Sequence, residues 1–263
     1  MKIELLIIDP QYDFCDPNGS LFVAGADDDM TRLAAMVTRI KNKLDDIHVT
    51  LDSHHLVDIA HPIFWLTSVG VNPDPFTIIT NDDLNKGLFR TTYPPMQSRA
   101  SEYVKSLEDN GRYPLCIWPP HCLIGSYGGA VVSSLYESLL NWEKDFAIVD
   151  YVTKGSNFWT EHYSAVQADV PDSEDPDTQL NMRLIETLQN ADIILLAGEA
   201  RSHCLANTVI DIANNFGEEN IKKMVLLEDA TSDVATFESV GEDFVKTMVA
   251  RGMQISTTVD FLK

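Results

Sequence analysis

The sequence predicts an α/β fold: a three-layer arrangement built on a mainly parallel sheet with helices on both faces. Three observations point there. Apolar runs of five to eight residues alternate with amphipathic stretches along most of the 263 residues. That alternation is the pattern of strand–helix–strand units, whose right-handed crossovers place helices on both sides of a sheet. Several of the runs also end on a polar, reactive side chain, as strands do when they deliver residues to the carboxyl edge of a parallel sheet.

The elements follow in order. IELLIID (3–9) is the first strand, the amphipathic MTRLAAMVTRIKNKL (30–44) a helix, and IHVTLD (47–52) the next strand. Further strands are predicted at 76–80, 114–118, 146–152, 193–198, 223–229 and 255–260. Helices are predicted near 97–109, 130–143, 177–190, 204–216 and 236–251. Two stretches break the alternation. Residues 56–113 carry one clear strand, one helix and a long polar loop, and 168–178 (ADVPDSEDPDT) is acidic, proline-rich and expected to be an exposed loop. Neither marks a domain boundary, so residues 1–263 are expected to form one domain with an enlarged insertion around 56–113.

Composition narrows the function classes. With 44% apolar and 22% charged residues the chain can bury a full core and is not disordered. A net charge of −21 argues against nucleic acid or an anionic membrane surface as partner. No apolar stretch approaches the ~20 residues that span a bilayer. The N-terminal MKIELLIIDP reads as a buried strand, not a signal peptide. Four cysteines, Cys15, Cys116, Cys122 and Cys204, make no disulfide framework in a chain of this length, and a cytoplasmic protein with free thiols is expected.

Asp9, Lys154 and Cys204 each stand at or just beyond the end of an apolar run, in IIDPQYDF, YVTKG and AGEARSHCLANT. Taken singly they have ordinary readings: a turn-capping carboxylate, a solvated lysine, a packed cysteine opening a helix. Together at one sheet edge they make a nucleophile, a base and a cation that steadies a thiolate. Helix N–H groups around Cys204 favour the thiolate and offer an oxyanion hole. A second constellation lies in VTLDSHHLVDIAHPIFW, with Asp52, His54, His55 and His61, and in CIWPPHCLIG, with His121. Aspartate with two histidines suits zinc, iron or manganese; the competing reading is a polar strand-end loop.

With these residues in place, the chain resembles the nicotinamidases among the isochorismatase-like cysteine hydrolases, in order and over nearly its full length. IIDPQYDFCDPNGSL is similar to the family's opening D-x-Q-x-D-F-x-x-x-G-S-L, LDSHH to its D-x-H, and WPPHCLIGSYGG to its W-P-x-H-C-x-x-G-x-x-G. KGSNFWTEHYSA resembles the lysine segment and GEARSHCLANT the cysteine loop. The resemblance implies a six-stranded parallel sheet and an Asp9–Lys154–Cys204 triad. It also implies a divalent metal, zinc foremost, on Asp52, His54 and His121 with His61 as a candidate fourth ligand. Phe14, Trp118 and Tyr163 would wall the substrate ring. Ala200 and Cys204 would supply the oxyanion hole, beside a cis peptide between Glu199 and Ala200.

Three departures stand out. Ser53 replaces a tryptophan, His61 lies farther from His54 than the family spacing, and Glu199, Arg201 and Ser202 replace an apolar residue, Thr and an acid. The implied activity is hydrolysis of nicotinamide, or a similar aromatic amide, to the acid and ammonia through a Cys204 thioester. Relatives often assemble, so a homo-oligomer is a further expectation. Two alternatives stay open: a related hydrolase of another small amide or carbamoyl compound, and a non-catalytic small-molecule binding module.

Overall fold

The computed structural model describes residues 1–263. Six strands form one sheet: β1 Ile3–Ile8, β2 Asp46–Asp52, β3 Asp150–Lys154, β4 Ile193–Gly198, β5 Met224–Leu227 and β6 Gln254–Ser256. Every pairing is parallel and the order is β6-β5-β4-β1-β2-β3. The chain's first strand is thus central, and all six of its residues are buried. Such a strand is covered on both faces and reads as an unbroken apolar run. Its one acid, Glu4, is buried against Lys2 (2.7 Å) and His48 (3.3 Å).

Alternate residues of β1 feed two cores. Ile3, Leu5 and Ile7 pack with α1 (Ala26–Ile40) and α3 (Ser133–Glu143) on one face. Leu6 and Ile8 face α2 (Gln97–Asn110), α4 (Met182–Gln189), α5 (Ala206–Phe216) and α6 (Glu238–Ala250) on the other. Helix α1 starts four residues earlier than its apolar period suggests, because Asp27, Asp28 and Asp29 fill its first turn, where carboxylates suit the helix dipole. Helix α4 starts later than predicted, at the Asn181 side chain, which accepts from Leu184 N at 3.1 Å.

Three strand expectations are corrected. The runs at 76–80 and 114–118 stay out of the sheet and pair antiparallel with each other, Ile78 with Cys116 and Ile79 with Leu115. Pro73, Pro75, Pro114, Pro119 and Pro120 crowd these runs and lack the N–H that a longer ladder needs. At 146–152 pairing begins only at Asp150, since Phe146 sits at φ 64° and is fully exposed. Residues 56–113 also hold a second ribbon, Trp65–Thr67 against Phe89–Thr91. Its Phe64 and Trp65 share a core with Leu6, Ile8 and Leu196 of the sheet.

The 168–178 loop is also not simply exposed. Ala168, Asp169 and Thr178 are buried, and Ala168 N donates to Thr178 O at 3.0 Å, closing the loop on itself. No helix is long and apolar enough to cross a membrane.

Candidate active site

Parallel pairing brings the carboxyl ends of β1, β2, β3 and β4 to one edge. Asp52 and Lys154 are register partners on β2 and β3, and Asp9 follows β1 between β2 and β4. Gly198 ends β4 at φ 107°, where a Cβ would stand 2.1 Å from Ile8 O; only glycine lets the cysteine loop leave so close to β1. The Glu199–Ala200 peptide is cis, as the cysteine-loop resemblance implies. A π-helical turn, Arg201–Leu205, then carries Cys204 into α5.

The triad residues meet. Lys154 Nζ lies 2.9 Å from Asp9 Oδ2, 3.1 Å from Asp52 Oδ1 and 3.7 Å from Cys204 Sγ. Thr50 fixes Asp9 twice, its hydroxyl donating to Oδ1 at 2.5 Å and accepting from Asp9 N at 3.0 Å. Burial raises the proton affinity of Asp9, with Asp52 adding to it and Lys154 opposing. Burial opposes the Lys154 ammonium, yet Asp52 and Asp9 hold its pKa well above the ordinary value. For Cys204 burial wins outright: the thiol is pushed well above its usual range, although Lys154 pulls the other way. Helix N–H groups and Lys154 therefore work against burial at this thiol, and Asp9 stands beside it as a base. The Ala200 N–H makes no hydrogen bond within the protein and is free for an oxyanion.

Next to the triad, Asp52, His54 and His121 bring ligand atoms within 4.8 Å of one another. The hydrogen bonds around the rings leave ligand atoms turned towards one another. Each ring's Nδ1 is anchored: His54 on Asp58 Oδ2 (3.0 Å), His121 on Pro119 O (2.9 Å), His61 on Leu56 O (3.2 Å). Donating through Nδ1 leaves the Nε2 lone pair of each imidazole for an ion. His61 Nε2 is buried with no partner at all, and its ring lies 5.3 Å from His54 and 5.6 Å from His121. Burial disfavours a charged His54, but Asp52 and Asp58 outweigh it and raise the pKa well above normal. The spot thus draws positive charge, and a metal ion would replace that proton. His55 points to solvent and takes no part.

Phe14, Trp118 and Tyr163 line one narrow slot with Asp52, His54, His121, Ala200 and Cys204. Trp118 Nε1 donates to Tyr163 Oη at 3.0 Å, locking two walls together. Several residues that sequence reasoning missed also belong here. Gln11 clamps β2 by donating to Asp52 O and accepting from Asp52 N, both at 2.6 Å. Asp13 accepts from Cys122 N at 2.7 Å and so holds the segment bearing His121. Both lie in the opening motif and were read only as part of it. Glu161, His162 and His203 line the slot as well. Their only signal was proximity to Tyr163 and Cys204.

The cysteine loop is tied to the 230–237 segment beside it. Ser232 N donates to Glu199 Oε2 at 3.0 Å, Val234 N to Ser202 Oγ at 3.1 Å, and Arg201 pairs with Asp233. The three departures in GEARSHC therefore anchor this segment, and its Val234 reaches the slot.

No protein-family model and no curated sequence matches the chain. Solved structures do. The yeast nicotinamidase aligns over 96% of this chain and 98% of its own, at 18% identity and TM-score 0.67. A nicotinamidase pyrazinamidase of Acinetobacter baumanii covers 99% and 98%, at 19% identity and TM-score 0.66. The pyrazinamidase of Pyrococcus horikoshii, solved in complex with zinc, covers 98% and 99%, at 19% identity and TM-score 0.58. At such identities the likeness establishes the fold, the isochorismatase-like α/β architecture.

Proposed function

We propose that this chain is a metal-dependent cysteine amidase that hydrolyses nicotinamide to nicotinate and ammonia through a Cys204 thioester. The observation that carries the reading is the shared Asp52. One of its oxygens meets Lys154 of the Asp9–Lys154–Cys204 group and the other meets His54 and His121, so nucleophile and metal-type donors open into one aromatic slot. The structural likeness to enzymes described as nicotinamidases and pyrazinamidases supports the same reading.

Asp9, with its raised proton affinity and its place beside Cys204, takes the thiol proton as sulfur attacks the carboxamide carbon. Lys154 steadies the thiolate while it forms and holds Asp9 in line. The Ala200 and Cys204 N–H groups receive the developing oxyanion. Asp9 then returns the proton to nitrogen, ammonia leaves, and a thioester remains for water to cleave. Phe14, Trp118 and Tyr163 sandwich the ring. A divalent ion on Asp52, His54, His121 and His61, zinc foremost, would supply a Lewis-acid anchor for a ring nitrogen. The protein's partner is thus a small aromatic amide.

The test is ammonia release from nicotinamide by metal-loaded protein, with Cys204→Ala as control. Release that depends on Cys204, with ring binding retained in the variant, supports the amidase. Steady turnover by Cys204→Ala would sink the mechanism, and silence from intact protein would shift the search to another small amide.

A further inference from the structure

The slot around Cys204 is tight, with a free volume of about 30 Å³. A water molecule needs roughly 10–15 Å³ of such space and two or more polar partners. An aromatic acyl group in the slot would take up that space. Yet amide hydrolysis through a thioester must move two small polar molecules. Ammonia departs when the C–N bond breaks, carrying the proton returned by Asp9. Water arrives afterwards, its oxygen bonding to carbon as the C–S bond breaks and its proton passing to Asp9.

Behind Lys154 lies a second cavity of about 370 Å³, lined by Ser156, Asn157, Asp175, Asp177, Gln179 and their neighbours. It is where the acidic 168–178 loop folds back. His162 is the one residue that lines both spaces. It is 8% exposed, and Gly155 N donates to its Nδ1 at 3.4 Å. The proton of the neutral ring then sits on Nε2, which is buried and has no partner. Burial, with Lys154 nearby, holds its pKa down at about 3, so the ring stays neutral. A buried N–H donor without an acceptor at the junction of two cavities suits a transient guest, either the lone pair of ammonia or the oxygen of water.

We propose that the polar cavity is the water supply and ammonia exit of the site, and that His162 is the positioning residue at its inner door. The inference rests on the amidase reading above. Asp175 and Asp177 give the outer end a negative field, which favours ammonia leaving as ammonium once it meets bulk water. The aromatic mouth then serves only the ring and its acid product.

The experiment follows the thioester itself. Enzyme is mixed with nicotinamide, and covalent Cys204 adduct is quantified over time by intact-protein mass spectrometry. Ser156→Trp and Gln179→Trp plug the cavity from two sides without touching the slot, and His162→Phe keeps the ring's volume but removes Nε2–H. The expected result is an acylation burst of wild-type size in the two plug variants, which shows a folded site, and thioester decay slowed about tenfold or more in all three. A wild-type decay rate in whichever plug variant shows the full burst would overturn the route. Absence of any thioester and any ammonia in the wild-type protein is a different result, and removes the amidase reading along with the route.

Discussion

Lys154→Met is the sharpest probe of the buried charge arrangement, and it needs no substrate. The ammonium is 1% exposed between Asp9 (0%) and Asp52 (6%), at 2.9 and 3.1 Å. At an effective dielectric of ~20 each contact is worth about 5 kcal/mol of attraction, part of which offsets the cost of burying the ammonium. Methionine preserves the stem and leaves two carboxylates facing each other. Removing one partner of a buried ion pair costs about 3–5 kcal/mol, so that is the expected loss in metal-free protein near neutral pH. Asp9 already has a raised pKa, and losing Lys154 raises it further. A carboxyl whose folded pKa exceeds its unfolded value contributes stability that is full below the unfolded pKa and is lost as pH rises through the folded one. The deficit should therefore be largest at about pH 8 and shrink towards about pH 5. Denaturant unfolding with chelator present measures it. Adding Asp9→Asn should recover part of the loss, because a neutral amide no longer needs the ammonium. A deficit under about 1 kcal/mol at the higher pH, or one that grows on acidification, would refute the reasoning.

Two further outcomes follow from the slot. His61→Ala removes a lone pair that nothing else in the protein satisfies; zinc affinity measured against a competing chelator should fall about 10–100-fold, and an unchanged affinity would take His61 out of the ligand set. Trp118→Ala opens the wall and frees the Tyr163 hydroxyl; KM for nicotinamide should rise at least about tenfold with a smaller change in kcat, whereas equal losses in both would mean that Trp118 shapes the reacting centre instead.

The strands that build the reactive edge were the legible part of the fold. β1 and β4 are buried on both faces, so their apolar runs are continuous, and each leads into a segment with chemistry. The runs at 76–80 and 114–118 look equally apolar. Their prolines, not their hydrophobicity, decided that they would form a separate ribbon. The acidic loop misled for a related reason: composition reported its solvent-facing aspartates, while Thr178 and Asp169 turned inward. At the site, Asp9, Asp52, His54, His121, Lys154 and Cys204 could be placed because each sits in a motif. Asp58, Glu161 and His162 could not. Asp58 stands four residues from His54 as any helical or loop neighbour might, and nothing in T-E-H-Y says that the histidine would end between two cavities. The depth of Cys204 was equally hidden, since the sequence displays its helix and its lysine but not that the thiol is buried.

Asp52 makes the two halves of the site interdependent. Its Oδ1 holds Lys154, and its Oδ2 lies 3.1 Å from His54 Nε2 and 3.5 Å from His121 Nε2. Without an ion the full Asp52 charge bears on its neighbours. Burial is the largest reason the Cys204 thiol holds its proton, and the Asp9 and Asp52 charges add to it while Lys154 resists. A dication at Oδ2 would neutralise much of the Asp52 charge and leave Lys154 bound less to Asp52 and more to Asp9 and the sulfur. Metal loading should therefore lower the Cys204 pKa, although the ion never touches the thiol. The comparison is the pH dependence of alkylation at Cys204, read by peptide mass spectrometry, in zinc-loaded and chelator-treated protein. A shift of Cys204 to lower pH on loading fits a shared carboxylate. An unshifted Cys204 would mean that the nucleophile and the metal donors are neighbours without being coupled, and Asp52 would be a ligand only.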